Sequence, residues 1–163
     1  MKNLLYLSTL FFAILLFSGC PYTSEVAIDS TPEIKIDEKL LGKWESKSST
    51  DTEYKVSKED DKTYLIEKKS KELKDVTRYK GFLSEINGTR FLNIYEDIET
   101  ATKAWYFYKV DVTGSAARIT LSEVTENIDE EFHSSAELKD YFKKNMGLSF
   151  FYSKQEEVYY RLD

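Results

Sequence analysis

The sequence predicts a mostly β protein, an antiparallel up-and-down β-barrel with one amphipathic helix near the C-terminus. The first observation is a series of short segments rich in aromatic and β-branched residues, separated by polar turns, in a chain that is 15% aromatic. The second is that no helical pattern separates these segments, which favours antiparallel pairing between neighbours. The third is Asn87-Gly88, a pair suited to a two-residue hairpin turn. A meander that closes on itself leaves no exposed sheet edge.

The strands are predicted in chain order. Asp37 is a plausible cap for a single helical turn over 38–41, and the first strand follows at 42–46. Further strands are expected at 53–58, 63–69, 76–86, 89–95, 104–112 and 117–124. Asn87-Gly88 should close a hairpin between two of them, because both residues tolerate the positive φ of a type I′ turn.

One helix is predicted near the C-terminus. Ser134 and Glu137 have the spacing of a capping box, and Gly147 can end the helix. Apolar residues recur every four positions at Leu138, Phe142 and Met146. This pattern favours a helix packed on the barrel wall over a membrane-binding helix. The segments 150–152 and 158–162 are expected to return to the sheet.

The first 19 residues have the pattern of a signal peptide. Lys2 supplies a positive start, and an apolar run with only two polar interruptions covers 4–17. That run is shorter than the roughly 20 residues needed to span a bilayer. Small residues then precede Cys20, as expected at a cleavage site.

The segment Ser18-Gly19-Cys20 resembles the lipobox of bacterial lipoproteins. The resemblance implies that Cys20 becomes the lipid-modified N-terminus of the mature chain. Cys20 is also the only cysteine, so an intrachain disulfide is excluded. Two or more acyl chains give stable membrane anchoring. Pro21 in place of Asp after the cysteine resembles lipoproteins of the outer membrane, so the expected location is the bacterial cell envelope, at the outer membrane.

Residues 20–37 are predicted to be a flexible tether, and 38–163 a single domain. The tether contains both prolines of the chain, Pro21 and Pro32, and shows no sustained periodicity. Removal of the leader takes away one base, Lys2, so the formal net charge changes from −6 to −7. An acidic domain of this kind is not expected to bind nucleic acid, which requires clustered Lys and Arg.

The segment Leu41-Gly42-Lys43-Trp44 resembles the opening of the lipocalins and their wider calycin group, in which a short helical turn leads into Gly-x-Trp on the first strand. The resemblance implies an eight-stranded barrel. It also implies that Trp44 closes one end of the barrel and packs under an arginine of the last strand, for which Arg161 is the candidate. A guanidinium over an indole face is favourable by roughly 1 kcal/mol.

The sequence offers little material for catalysis. His133 is the only histidine, so neither a multi-histidine metal site nor a choice of catalytic triads can be drawn. The runs at 59–61 and 129–131 are acidic, but they lack the pattern of a calcium loop. We therefore expect no metal, no cofactor and no enzymatic activity.

The barrel interior is the remaining candidate site. Alternation along 104–112 places Trp105 and Phe107 on one face and Tyr106 and Tyr108 on the other, and which face points inward stays open. The candidate ligand-lining residues are Tyr64, Phe91, Tyr95, Trp105 and Phe107. The expected function is non-enzymatic binding of a small hydrophobic ligand by a lipid-anchored envelope protein. The alternative is a lipoprotein with a filled barrel that docks or inhibits an envelope protein.

Overall fold

The computed structural model describes residues 21–72, 75–99, 102–114, 116–125, 128 and 130–162. The predicted signal peptide, 1–19, and Cys20 lie outside the described residues. Among the residues described, no helix combines the length and the apolarity needed to cross a bilayer.

Nine strands and one α-helix form the described chain. The strands are β1 (Thr23–Ser24), β2 (Gly42–Ser46), β3 (Thr52–Lys58), β4 (Thr63–Ser70), β5 (Val76–Ile86), β6 (Thr89–Glu96), β7 (Trp105–Thr113), β8 (Arg118–Glu123) and β9 (Glu157–Leu162). The helix α1 is Ser135–Asn145, and a 3₁₀ turn, Glu38–Leu40, precedes β2. Each predicted strand from 42 to 124 is observed within about two residues of its expected bounds, which is the usual uncertainty of element ends.

Strands β2 to β9 form a closed antiparallel barrel. Each strand pairs with the next, and β9 pairs with β2, where Arg161 lies opposite Trp44. The β5–β6 hairpin turns at Asn87 and Gly88, which both have positive φ, 51° and 79°. The predicted fold class, an eight-stranded up-and-down barrel with one helix near the C-terminus, is therefore confirmed. The segment 150–152 differs from its prediction, because it contributes a single bridge from Tyr152 to Val124 and no strand.

Because side chains alternate across each strand, the barrel wall separates two apolar clusters. The inner core fills part of the barrel and comprises Leu40, Trp44, Tyr64, Ile66, Leu83, Leu92, Val110 and Ile119. The outer core lies between the outside of the wall and helix α1, and comprises Tyr22, Ile28, Ile86, Phe91, Phe107, Val124, Ile128, Leu138, Phe142 and Phe151. The outside of β2–β4 instead carries ion pairs such as Lys55–Glu67, as a solvent-facing surface does.

Helix α1 begins at the predicted cap. Ser134 accepts a hydrogen bond from the backbone N–H of Glu137, and the Glu137 carboxylate accepts one from the backbone N–H of His133. Leu138 and Phe142 are fully buried in the outer core. The helix therefore covers the outside of the barrel, as its periodicity predicted.

The described part of the predicted tether, residues 21–37, is packed against the barrel instead of being free. Its start forms β1, which pairs with Trp105 and Tyr106 at the beginning of β7. Ile28 is fully buried, and its backbone N–H donates to the buried Asn93 side chain at 3.0 Å. This segment buries isolated apolar residues against a preformed wall, so it shows no period of its own in the sequence.

Candidate functional site: a tyrosine-lined cavity

A cavity of about 310 Å³ occupies the inside of the barrel beside the inner core. Its walls are mostly apolar, and six tyrosines contribute to them. The lining residues are Leu40, Trp44, Tyr54, Val56, Tyr64, Ile66, Lys68, Tyr79, Leu92, Ile94, Glu96, Tyr106, Tyr108, Val110, Ile119, Leu121 and Tyr159. A concave apolar space of this volume lies at the small end of the range for small-molecule sites, roughly 300–1,000 Å³.

Trp44 and Arg161 close one end of the barrel. The Trp44 indole is 2% exposed and donates its ring N–H to the Leu40 carbonyl at 2.9 Å. The Arg161 guanidinium lies 4.5 Å from the centroid of the Trp44 ring. It also donates to three backbone carbonyls, those of Lys39, Leu41 and Ala116, at 2.8, 2.7 and 3.0 Å. One arginine therefore joins the 3₁₀ turn, the indole and the loop before β8.

Gly42 is required at this end for two reasons. Its φ is +129°, a backbone conformation that residues with a Cβ rarely adopt. A Cβ built on Gly42 would also clash with the Arg161 guanidinium. The glycine of Gly-x-Trp thus makes room for the arginine that covers the tryptophan.

Asp37 makes a second set of hydrogen bonds at the closed end. Its backbone N–H donates to the Tyr64 hydroxyl at 2.5 Å, and its carboxylate accepts a hydrogen bond from Arg90 at 2.6 Å. Burial alone would raise the pKa of Asp37, but the hydrogen bonds from Arg90 and from the backbone N–H of Lys39 outweigh it and hold the pKa below its usual value. Asp37 is therefore ionised at neutral pH and ties the chain before β2 to β4 and β6.

The cavity tyrosines fall into two groups by their hydroxyl partners. Tyr64 interacts with Asp37, and Tyr108 donates to the Glu123 carboxylate at 3.3 Å. Tyr54 and Tyr159 meet edge to face with ring centroids 5.3 Å apart, and their hydroxyls interact with each other. The second group has the two remaining tyrosines, Tyr79 and Tyr106, whose hydroxyls have no hydrogen bond to any residue that the structure describes. Two donors therefore remain for a bound molecule or water.

Burial dominates the titration of the cavity walls. It raises the pKa of Tyr64 to about 12 and raises the pKa values of Tyr108 and Tyr159 further. Burial also raises the pKa of Glu123, and the nearby Glu157 carboxylate adds to the rise while the Tyr108 hydroxyl opposes it. The wall around these tyrosines and Glu123 is thus poorly hydrated, and the uncharged forms of its groups are favoured.

Charged residues mark the opposite end as the mouth. Glu96 is exposed, Lys68 is half-buried, and both contribute to the cavity lining. Nearby, the Glu157 carboxylate accepts hydrogen bonds from Ser46 and Ser48 at 2.9 and 2.7 Å. The cavity therefore grades from an apolar closed end at Trp44 to a polar rim.

The structure places the sequence-predicted site residues on two sides of the wall. Tyr64 lines the cavity, and Trp44 and Arg161 lie together at the closed end. The other four predicted lining residues lie outside the barrel, so that prediction is wrong for Phe91, Tyr95, Trp105 and Phe107. Two of them are members of the outer core, and Trp105 packs against Tyr95 with ring centroids 4.7 Å apart.

The physical reason for this correction is that the β5–β7 wall is covered on both sides. Helix α1 and the segment 22–28 bury the outside of this wall, so both faces of these strands are apolar and alternation cannot decide between them. The cavity residues that were missed include Tyr54, Tyr79 and Tyr159. The position of Tyr54 follows from its pairing: residues that lie opposite each other on neighbouring strands point to the same face of the sheet. Tyr54 pairs with Trp44, so an inward-pointing Trp44 places Tyr54 inward too.

Within the described ranges, no group of three or more His, Cys, Asp or Glu residues is placed to hold a metal ion. The lining presents aromatic faces, aliphatic walls and a few hydroxyls. Comparison of the chain with protein-family models, with curated proteins and with solved structures finds no match.

Proposed function

We propose that this chain is a lipid-anchored protein of the bacterial envelope that holds a small, largely apolar molecule inside its barrel. The observation that carries the proposal is the cavity of about 310 Å³, closed by Trp44 at one end and lined by six tyrosines. A barrel filled by its own side chains would need no such space, because protein interiors normally pack to near crystalline density. The lipobox resemblance at Cys20 supports the anchor.

The lining also restricts the chemistry of the ligand. Its apolar portion would lie toward Leu92, Val110 and Ile119, where the walls are aliphatic. Its polar group would lie toward the mouth, where the hydroxyls of Tyr79 and Tyr106 are available. Aromatic rings favour edge or offset contacts with flat molecules, so a compact aromatic compound with one hydrogen-bonding group fits best.

The test is native mass spectrometry of the mature protein, extracted from its own host in mild detergent and measured again after denaturation. Mass retained on the N-terminal peptide after denaturation reports acylation of Cys20. Mass lost on denaturation reports a bound small molecule. We expect both. A mature chain without acyl mass would contradict the anchor, and a bare barrel would contradict the ligand.

A pair of variants on one strand separates a cavity ligand from surface adsorption. Val56→Phe adds a ring inside the cavity, whereas Lys55→Phe adds the same ring on the outer, exposed face of β3. The dissociable mass should disappear in V56F and persist in K55F. Equal loss or equal retention in both variants would place the bound molecule outside the cavity, and thermal unfolding of each variant would confirm that it is folded.

A further inference from the structure

We infer that the loop after helix α1, residues 147–150, is a membrane-contact surface that inserts Leu148 and Phe150 into the lipid interface beside the anchor. This inference rests on the lipidation of Cys20 proposed above. Leu148 is 41% exposed and Phe150 is 52% exposed, and they lie two positions apart in the sequence.

No flexible linker separates the proposed lipidation site from the part of the barrel that the structure describes. Cys20 directly precedes Pro21, and Pro21 forms a bridge with Thr125. The next backbone N–H, that of Tyr22, donates to the Val124 carbonyl at 3.2 Å, and the Tyr22 ring is buried in the outer core. A lipid on Cys20 therefore holds this side of the barrel at the membrane surface.

The exposed loop lies on the same side of the barrel as Pro21. The backbone N–H of Thr125 donates to the Phe151 carbonyl at 3.1 Å, and its hydroxyl donates to the Phe150 carbonyl at 2.8 Å. Thr125 thus stands between Pro21 and the 150–151 segment. Since neighbouring extended chains lie about 4.8 Å apart, the backbone of the 150–151 segment lies about 10 Å from Pro21, the residue that follows the proposed lipidation site.

The loop 147–150 is held in a fixed orientation. The Phe151 ring is 1% exposed and packs edge to face on Phe142 with centroids 5.0 Å apart. Backbone hydrogen bonds from Leu148 to Asn145 and from Phe151 to Leu148 form the turn. With Phe151 anchored inward, the exposed Phe150 projects outward from a rigid base, and rigid apolar side chains at a surface cost little entropy to insert.

The flanking charges suit a headgroup region. Lys143 and Lys144 are exposed in the last turn of α1, immediately before the loop. Glu130 and Glu131 are exposed and line the same surface pocket as Pro21. Because both signs of charge occur on this side of the barrel, we expect contact to depend on apolar insertion, typically about 5–10 Å deep, and not on anionic lipid.

The test uses the mature, lipidated protein reconstituted on vesicles of phosphatidylcholine that contain a shallow nitroxide-labelled lipid. Phe150→Trp places a fluorescent reporter in the loop. Tyr160→Trp is the matched control, because Tyr160 is 44% exposed on β9, opposite Arg118 and far along the barrel from Thr125. The signal of the unsubstituted protein is subtracted to account for Trp44 and Trp105.

We expect F150W emission to shift to the blue and to be quenched about twofold by the labelled lipid, as a side chain at the interface would be, and Y160W to be unaffected. Leu148→Trp gives a second reporter if F150W lowers the melting temperature. An unquenched F150W on vesicle-bound, acylated protein would overturn the contact surface while leaving the anchor intact. A protein without acyl mass on Cys20 would overturn the anchor and this inference together.

Discussion

The inner and outer cores are built by the same strands but are packed differently. The outer core is dominated by phenylalanines: Phe142 meets Phe91, Phe107 and Phe151 edge to face, with centroids 5.3, 5.3 and 5.0 Å apart. The inner core is dominated by tyrosines and leaves a cavity of about 310 Å³. A Phe ring needs only close packing, whereas a buried Tyr also needs a partner for its hydroxyl.

The difference shows which core is closely packed and which one encloses an open space. The outer core fastens the helix and the N-terminal segment to the wall through close contacts between aromatic rings. Hydrogen bonds of Arg161 and Asp37 hold the closed end of the inner core in place. The cavity therefore stays open although side chains do not fill it. Substitutions in the two cores should therefore have different consequences.

The largest expected effect is in the outer core. Phe142→Ala removes the ring on which three other phenylalanines pack, and it should lower the free energy of unfolding by ~3–5 kcal/mol. Urea denaturation followed by circular dichroism measures this loss. Phe150→Ala, at an exposed position, is the control and should cost less than ~0.5 kcal/mol. A loss below ~1 kcal/mol for F142A would show that the outer core is not the part that stabilises the fold.

A smaller effect is expected at the closed end of the inner core. Arg161→Ala removes three hydrogen bonds to carbonyls and the contact with the Trp44 ring, so the free energy of unfolding should fall by ~2–3 kcal/mol. Arg118→Ala is the control, since Arg118 is exposed and bonds only the Thr113 side chain among the described residues. Equal losses in R161A and R118A would show that the arginine does not close the barrel.

The smallest effect concerns pH and tests the tyrosine character of the inner core. Burial raises the pKa of Tyr64 from 10.0 to about 12. The stability that this group contributes is fully present below pH 10 and is lost as the pH rises through about 12, because the unfolded chain ionises first. Between about pH 8 and about pH 11, the loss of unfolding free energy should be about 1 kcal/mol smaller in Tyr64→Phe than in the unsubstituted protein.

Urea denaturation at the two pH values measures this difference. Y64F lacks the hydrogen bond from the Asp37 backbone N–H at both pH values, so the stability lost with that bond cancels when the two measurements are subtracted. Tyr160→Phe, which removes one hydroxyl from the exposed outer face, is the matched control for the substitution itself. An unchanged alkaline loss in Y64F would mean that Tyr64 is hydrated and that the cavity end near it is open to water.

The features that were predictable from sequence are local ones. The Asn87-Gly88 turn, the Ser134 cap and the strand bounds each depend on residues within a few positions of one another, so the local pattern was sufficient. Gly42 and Trp44 were also recognisable, and the structure places Arg161 over the indole.

The features that were not predictable depend on what covers each surface. Nothing local distinguishes Phe107 from Tyr108, which lie on opposite sides of the wall. The segment 21–37 was taken for a tether because Tyr22 and Ile28 are isolated apolar residues in a polar context. Asn93 shows why: it accepts a hydrogen bond from the Ile28 backbone N–H and donates to Phe82 and Ser84 on β5, so its partners come from two parts of the chain that are distant in sequence.

The local sequence was sufficient for the strands, their turns and the helix, because periodicity and turn chemistry are local properties, whereas closure by eight strands was implied by the resemblance at Gly42 and Trp44 to the calycin opening. Only the tertiary structure decided which face of each strand lines the cavity, and that the N-terminal segment packs on the wall. The physical reason is that a strand with two apolar faces has no preferred inside until another element covers one of them. Helix α1 and the segment before β2 make that choice, and they leave the tyrosines facing the cavity.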